Sequence, residues 1–224
     1  GSNAKNILRA ARSYGLVAKG YREFVLTGIH ISSYGLDFPK KDPATALIAL
    51  MKEMDAIKGV ARIRIGSFEP MILTEEFVKN LKEIKSLCPH FHISLQSGCD
   101  ATLKRMNRRY TSEQYYEKVE LLRRIFGNPA ITTDVIVGFP GETDELFQMT
   151  KKLIEEIGFT KLHVFPFSVR KGTKAEELPN HLDEVTKKDR VHKLMSRSKE
   201  LEIEYMEKFF LSLLLTCNKL NIIN

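Results

Sequence analysis

Five apolar runs in this chain each stop at a cluster of polar or glycine residues, and those clusters hold most of the side chains with chemistry to offer. EFVLTGI is followed by His30, Ser32, Ser33, Tyr34 and Gly35, and RIRIG by Ser67, Phe68, Glu69 and Pro70. FHISL gives way to Gln96, Ser97 and Gly98, then to Lys104, Arg105, Arg108 and Arg109, with no acid after Asp100 until Glu113. TTDVIVG is followed by Phe139, Pro140, Gly141 and Glu142, and LHVFPF by Ser168, Arg170, Lys171, Gly172 and Thr173. Amides, hydroxyls, close-approach glycines and guanidiniums suit the recognition of a hydrogen-bonding, anionic ligand. They suit acid–base or nucleophilic catalysis poorly: only Glu69, Glu142 and His30 could serve, and they form no recognisable set, which disfavours an aldolase or hydrolase barrel. Cys88, Cys99 and Cys217 are too far apart to read as a metal site, so no metal ligand is assigned. His92 and His163 alternate with apolar neighbours and read as structural. Each cluster also has a plainer reading. The cations alone suit a solvated helix face, the Gly138–Gly141 segment a simple strand-to-helix turn, and of Phe165 and Phe167, on opposite strand faces, one at most lines a site.

What must position these clusters is an alternation of strands and helices. The strands are expected at Glu23–Ile29, Arg62–Gly66, Phe91–Leu95, Thr132–Gly138 and Leu162–Phe167, rich in Val, Ile and Phe and ended by Gly, Ser or Pro. Helical periodicity fills 43–57, 75–87, 112–126 and 144–157, with starts marked by Thr74, by Thr111 through Gln114, and by Thr143. Strands spaced by helices predict a parallel α/β sheet, barrel or open, whose chemistry gathers at the carboxyl ends of the strands. A long amphipathic helix is expected at 184–210, and the last stretch, LSLLLTCNKLNIIN, is apolar and almost uncharged. The domain reading is a cloning scar at 1–4, a partial barrel at 5–178, the long helix at 179–210 and an atypical, non-native or truncated tail at 211–224.

The composition is that of a globular protein: 43% hydrophobic and 28% charged over 224 residues, with a net charge of +7. The basic balance permits a polyanionic partner such as RNA, and a solvated basic surface explains it equally well. Three separated cysteines and no signal peptide point to a reducing, cytoplasmic setting, and no apolar run is long enough to span a membrane.

LTGIHISSYG, HISLQSGCDATLKRMNRRYT, TDVIVGFPGETDE and LHVFPFSVRKGTKA, in this order, resemble the radical-SAM methylthiotransferases, over about residues 20–208. That family attaches a methylthio group to tRNA adenosines or to a ribosomal protein. TGIH followed by SSYG looks like the branch that acts on N6-threonylcarbamoyladenosine beside the anticodon. The resemblance implies a TIM-like radical-SAM barrel, S-adenosylmethionine, two [4Fe–4S] clusters, tRNA as partner, and sulfur and electron donors. It implies cofactor contacts from Thr27, Gly28, Gln96, Ser97, Arg108, Asp134, Ile136, Val137, Gly138 and Phe165, with Glu142 holding the Gly138–Gly141 loop. His30, Tyr34, Ser168, Arg170 and Thr173 would face the substrate. The alternatives are another tRNA base, a ribosomal protein, or a non-catalytic nucleotide- or RNA-binding barrel.

The departure from the family is the missing CxxxCxxC loop, with the first barrel strand that carries it. The expectation is a fragment that by itself binds no iron–sulfur cluster, is inactive, and has an exposed sheet edge through which copies could pair.

Overall fold

A computed structural model describes residues 15–28, 31–35 and 43–219. His30, among the expected substrate-facing residues, lies outside the described residues. The chain divides into two compact units, one of residues 1–94 with 113–131 and one of 95–112 with 132–224. Among the described residues no helix is long and apolar enough to cross a membrane.

In the first unit, strand β1 (Glu23–Leu26) pairs in parallel with β2 (Arg62–Ile65), and β3 (Ser67–Phe68) with β4 (His90–Ile93). Parallel neighbours need a crossover, supplied by α1 (Pro43–Asp55) and α2 (Glu75–Lys82). Alternation along β2 puts Ile63 and Ile65 in the core and Arg62 and Arg64 outside. Outside, Arg62 Nε donates to Glu23 at 2.8 Å. Thr74 caps α2 by accepting from Phe77 N at 3.2 Å, as its position before Glu75 and Glu76 predicts. The helix stops at Lys82, short of the expected residue 87. The Asp55 carboxylate explains the early stop: it accepts from Lys85 N at 3.2 Å and from Ser86 N at 2.8 Å, drawing those amides out of helical register. The expected strand Arg62–Gly66 is β2, and a further short strand, β3, follows it beyond Gly66, whose N–H goes to Leu26 O at 2.8 Å. β1 ends at Leu26, three residues before the expected Ile29. The unit also holds α4 (Ser112–Phe126), which buries Tyr115, Val119 and Leu122.

The second unit centres on β5 (Ala130–Val137) paired in parallel with β6 (Lys161–Pro166), in a register that sets Asp134 opposite His163 and Ile136 opposite Phe165. Leu95 and Gln96 extend this ladder: Leu95 N donates to Thr133 Oγ1, Gln96 N to Asp134 O and Ile136 N to Gln96 O, at 2.8–2.9 Å. The crossover is α5 (Asp144–Ile157), capped at its start by Thr143 and ended at Gly158 in the left-handed conformation, φ 59°. A short helix that sequence periodicity does not predict, α3 (Asp100–Arg105), follows Gly98; the Asp100 carboxylate accepts from Ser112 N at 2.7 Å and closes the loop. The long helix is α6 (Glu184–Lys219), which packs along β6 and continues past the expected end at 210. Leu194 and Leu201 are its buried side chains against the strand, and Ser198 Oγ brackets Leu162, accepting from its N–H at 2.9 Å.

Candidate functional site

At the carboxyl ends of β5 and β6 a cavity of about 530 Å³ opens, walled by Gln96, Asp134, Ile136, the Phe165–Ser168 segment, Arg170, Thr173 and Ala175. The two-residue period of a strand selects the β5 contribution: Asp134 and Ile136 face the cavity, while Val135 and Val137, both 0% exposed, face the core. Gln96 enters by another route. Its backbone sits at φ 67°, a region glutamine rarely adopts, and its side chain is buried at the cavity wall. Such strain persists only where surrounding hydrogen bonds over-determine it, and here Gln96 N–H and C=O are both fixed to β5.

The turn after β5 and the wall segment after β6 are each held by hydrogen bonds. After β5 the chain turns at Gly138 (φ 72°) and Gly141 (φ 77°). Gly138 N donates to Glu142 Oε1 at 2.8 Å, so Glu142 holds the loop as expected. The same carboxylate oxygen accepts from Arg190 Nη1 at 2.5 Å, and Arg190 Nη2 donates to Asp144 at 2.7 Å. Burial pushes the Glu142 carboxyl up from its ordinary range, against the opposing pull of the Gly138 N–H and of Arg190. Arg105 Nη2 donates to Gly141 O at 2.9 Å, and Gly141 N to Asn180 O at 2.8 Å. After β6, Thr173 Oγ1 donates to Arg170 O and Gly172 N to Glu176 Oε2, both at 2.7 Å, ordering the segment that carries Arg170.

The expected site residues divide accordingly. Gln96, Asp134, Ile136, Phe165, Ser168, Arg170 and Thr173 come together around one cavity. Ser97 does not: its buried hydroxyl lies 3.3 Å from Thr150 Oγ1 on α5. The neighbouring Gly98 is pressed so close to that helix that a Cβ there would stand 2.7 Å from Thr150 Cα. Val137 faces the core, and Gly138 acts through its backbone conformation and N–H rather than by lining the wall. Arg108 is exposed on the turn after α3 and is not among the wall residues; the neighbouring cation, Arg105, is committed to the Gly141 carbonyl. Thr27 and Gly28 are exposed at the end of β1, and Tyr34 is half-buried, all three in the first unit. Phe167 corrects the expectation that one aromatic at most lines the site. The strand ends at Pro166, alternation lapses, and Phe167 joins Phe165 at the wall while packing edge-on to Phe139 at 4.9 Å. Arg190 and Lys187 went unrecognised because a polar residue on an amphipathic helix ordinarily faces solvent; nothing local marks them.

The family model described as the radical SAM superfamily matches residues 3–154. Among curated proteins, the chain is 41% identical over 193 residues to the threonylcarbamoyladenosine tRNA methylthiotransferase MtaB of Thermotoga maritima, covering 86% of this chain and 43% of that protein. The MtaB of Bacillus subtilis is 43% identical over 195 residues, covering 87% and 42%. The tRNA-2-methylthio-N(6)-dimethylallyladenosine synthase of Caldicellulosiruptor saccharolyticus is 37% identical over 189 residues, covering 84% and 40%. The chain therefore spans less than half the length of these relatives. Among solved structures, the radical SAM enzyme coproporphyrinogen III oxidase HemN of Escherichia coli superposes with a TM-score of 0.57 at 18% identity, covering 70% of this chain and 37% of that one. The radical S-adenosylmethionine methyltransferase TsrM of Kitasatospora setae gives 0.56 at 17% identity, covering 73% and 31%. At these identities the structural likeness concerns the fold.

Proposed function

Because the chain belongs to the radical SAM superfamily, we propose that it is part of the catalytic barrel of a methylthiotransferase acting on N6-threonylcarbamoyladenosine beside the tRNA anticodon. Support for that branch comes from the MtaB relatives at 41% and 43% identity, against 37% for a relative named for dimethylallyladenosine. The observation that carries the reading is the strand-end cavity, whose volume of about 530 Å³ is in the range of small-molecule sites.

S-Adenosylmethionine fits the residues present. The ridge of Ile136, Phe165 and Phe167 offers apolar surface to a purine, and Gln96 and Asp134 offer hydrogen-bond partners to ribose or amino groups. Ser168, Arg170 and Thr173 stand on the outer rim, where substrate would approach. Thr27, Gly28, His30 and Tyr34 keep their proposed cofactor- and substrate-side roles on the basis of the family resemblance alone. An iron–sulfur cluster does not fit the two cysteines whose side chains are described. Cys99 is buried in the second unit and Cys88 half-buried in the first, and among the described residues no three His, Cys, Asp or Glu side chains gather to hold a metal. When bound, cluster and S-adenosylmethionine together supply the radical chemistry. This chain's residues bind and orient the nucleoside end and shield it from water. The whole enzyme would use two clusters, a sulfur donor, an electron donor and tRNA, in the cytoplasm where tRNA is; copies of this chain could pair through a strand edge.

Titration with S-adenosylmethionine tests the reading. The wild-type chain should bind, and Gln96→Ala or Asp134→Asn should weaken binding by about five- to tenfold, the equivalent of one lost hydrogen bond. No binding by the wild type, or full binding by both variants, would remove the cavity from the mechanism.

A further inference from the structure

The base of α6 touches the turn after β5 and, at Phe167, the cavity-lining segment after β6. Arg190, 3% exposed, donates to the Glu142 side chain, to Glu142 O at 3.0 Å and to Asp144, and its guanidinium lies 5.1 Å from the Phe147 ring centre. One turn earlier Lys187 is 4% exposed, and its stem fills the space over Gly138: a Cβ on that glycine would stand 2.5 Å from Lys187 Cγ. Its ammonium lies 5.8 Å from the centre of the Phe167 ring and 2.8 Å from Glu184. The loop after β5 is thus fixed by Arg190, and the segment after β6 leans on Lys187 through Phe167. Neither cation lines the cavity.

We infer that Arg190 and Lys187 are positioning residues of the cavity, holding from α6 the turn after β5 and Phe167 after β6, and through them the strand ends that carry Ile136 and Phe165. A buried guanidinium bonded to a carboxylate and a carbonyl of one loop is stiff, because removing either partner leaves a charge unpaired in a dry site. A mere surface pair would not transmit position in this way. The inference takes its ligand from the methylthiotransferase reading, but its geometric content does not depend on that reading.

The test uses the full chain with its isoleucine methyl groups labelled for NMR, followed during titration with S-adenosylmethionine. The variants are Arg190→Lys, Glu142→Gln with Arg190→Met, and Lys187→Met. The double variant leaves no buried unpaired charge, and Lys187→Met keeps the stem, so the fold survives even where Arg190→Met alone does not. In the double variant and in Lys187→Met, the Ile136 methyl resonance should move while that of Ile63, in the other unit, stays. Affinity should fall about tenfold, and Arg190→Lys, which keeps the charge but loses the fork, should lie between. Unchanged Ile136 resonance in the folded double variant and in Lys187→Met would overturn the inference. So would equal movement of Ile63, which marks general loosening. Should the wild type not bind S-adenosylmethionine while Ile136 still moves in the variants, the ligand reading fails and the positioning role stands.

Discussion

Two carboxylates, one in each compact unit, hold a turn beside a strand, and they do it under opposite conditions. Asp55 is half-buried and accepts its hydrogen bonds from neutral donors, the Ser86 N–H and hydroxyl and the Lys85 N–H, with the Lys85 charge a smaller influence. Burial alone would raise its pKa; the hydrogen bonds from Ser86 and Lys85 outweigh that and hold the carboxyl below its ordinary range. Glu142 is buried, and there the balance reverses: desolvation wins over the Gly138 N–H and over Arg190 itself. A partly wet carboxylate can rest on dipoles, whereas a dry one needs a cation and is still uncomfortable as an anion. The first arrangement serves to stop a helix. The second keeps a loop rigid beside a cavity.

The largest expected effect breaks the dry arrangement. Arg190→Met removes the cation paired with the buried Glu142 and should cost about 3–5 kcal/mol in urea unfolding, while Asp55→Asn, which keeps an acceptor for the same donors, should cost much less. Next comes pH. Asp55, lowered in the fold, contributes stability that is present above its unfolded value near 3.8 and lost as pH falls through the folded value. Glu142, raised in the fold, contributes stability that is full below its unfolded value near 4.5 and lost as pH rises through the folded value. Melting temperatures across pH should therefore flatten on the acid side in Asp55→Asn, and from about pH 4.5 upward in Glu142→Gln; the reverse assignment would show that the two environments have been misread. The smallest effect sharpens the role of strain. Gln96→Gly relaxes the left-handed backbone and should stabilise the fold by about 1 kcal/mol while weakening S-adenosylmethionine binding, a separation that thermal melts and titration together would show.

Local signals revealed most of the frame. Thr74 and Thr143 announce their helices, the Val- and Ile-rich runs announce β2, β4, β5 and β6, and the glycines at 138 and 141 announce the turn that Glu142 closes. What stayed hidden depends on partners distant in sequence. Asp55 ends α2 from 30 residues away, and Arg190 meets Glu142 across 48. Ser97 looked free to bind a ligand because nothing nearby shows that Gly98 lies against α5. The short helix α3 lacks the length for periodicity to register. Of the residues that the family resemblance named, those of the second unit's strand ends gather around one cavity, whereas Arg108 stands outside its wall.

The long helix α6 is anchored unevenly. Lys187, Arg190, Leu194, Ser198 and Leu201 are buried, whereas Ile203, Met206, Phe209, Phe210 and Leu211 are about half exposed or more. Without tertiary packing, a helical stretch has little beyond its own hydrogen bonds to resist opening. Amide hydrogen exchange should therefore form a gradient along α6, slow through Leu201 and faster beyond it. The turns nearest the cavity would then share the stability of the whole unit, while the distal turns open on their own, so that one continuous helix behaves as two thermodynamic segments.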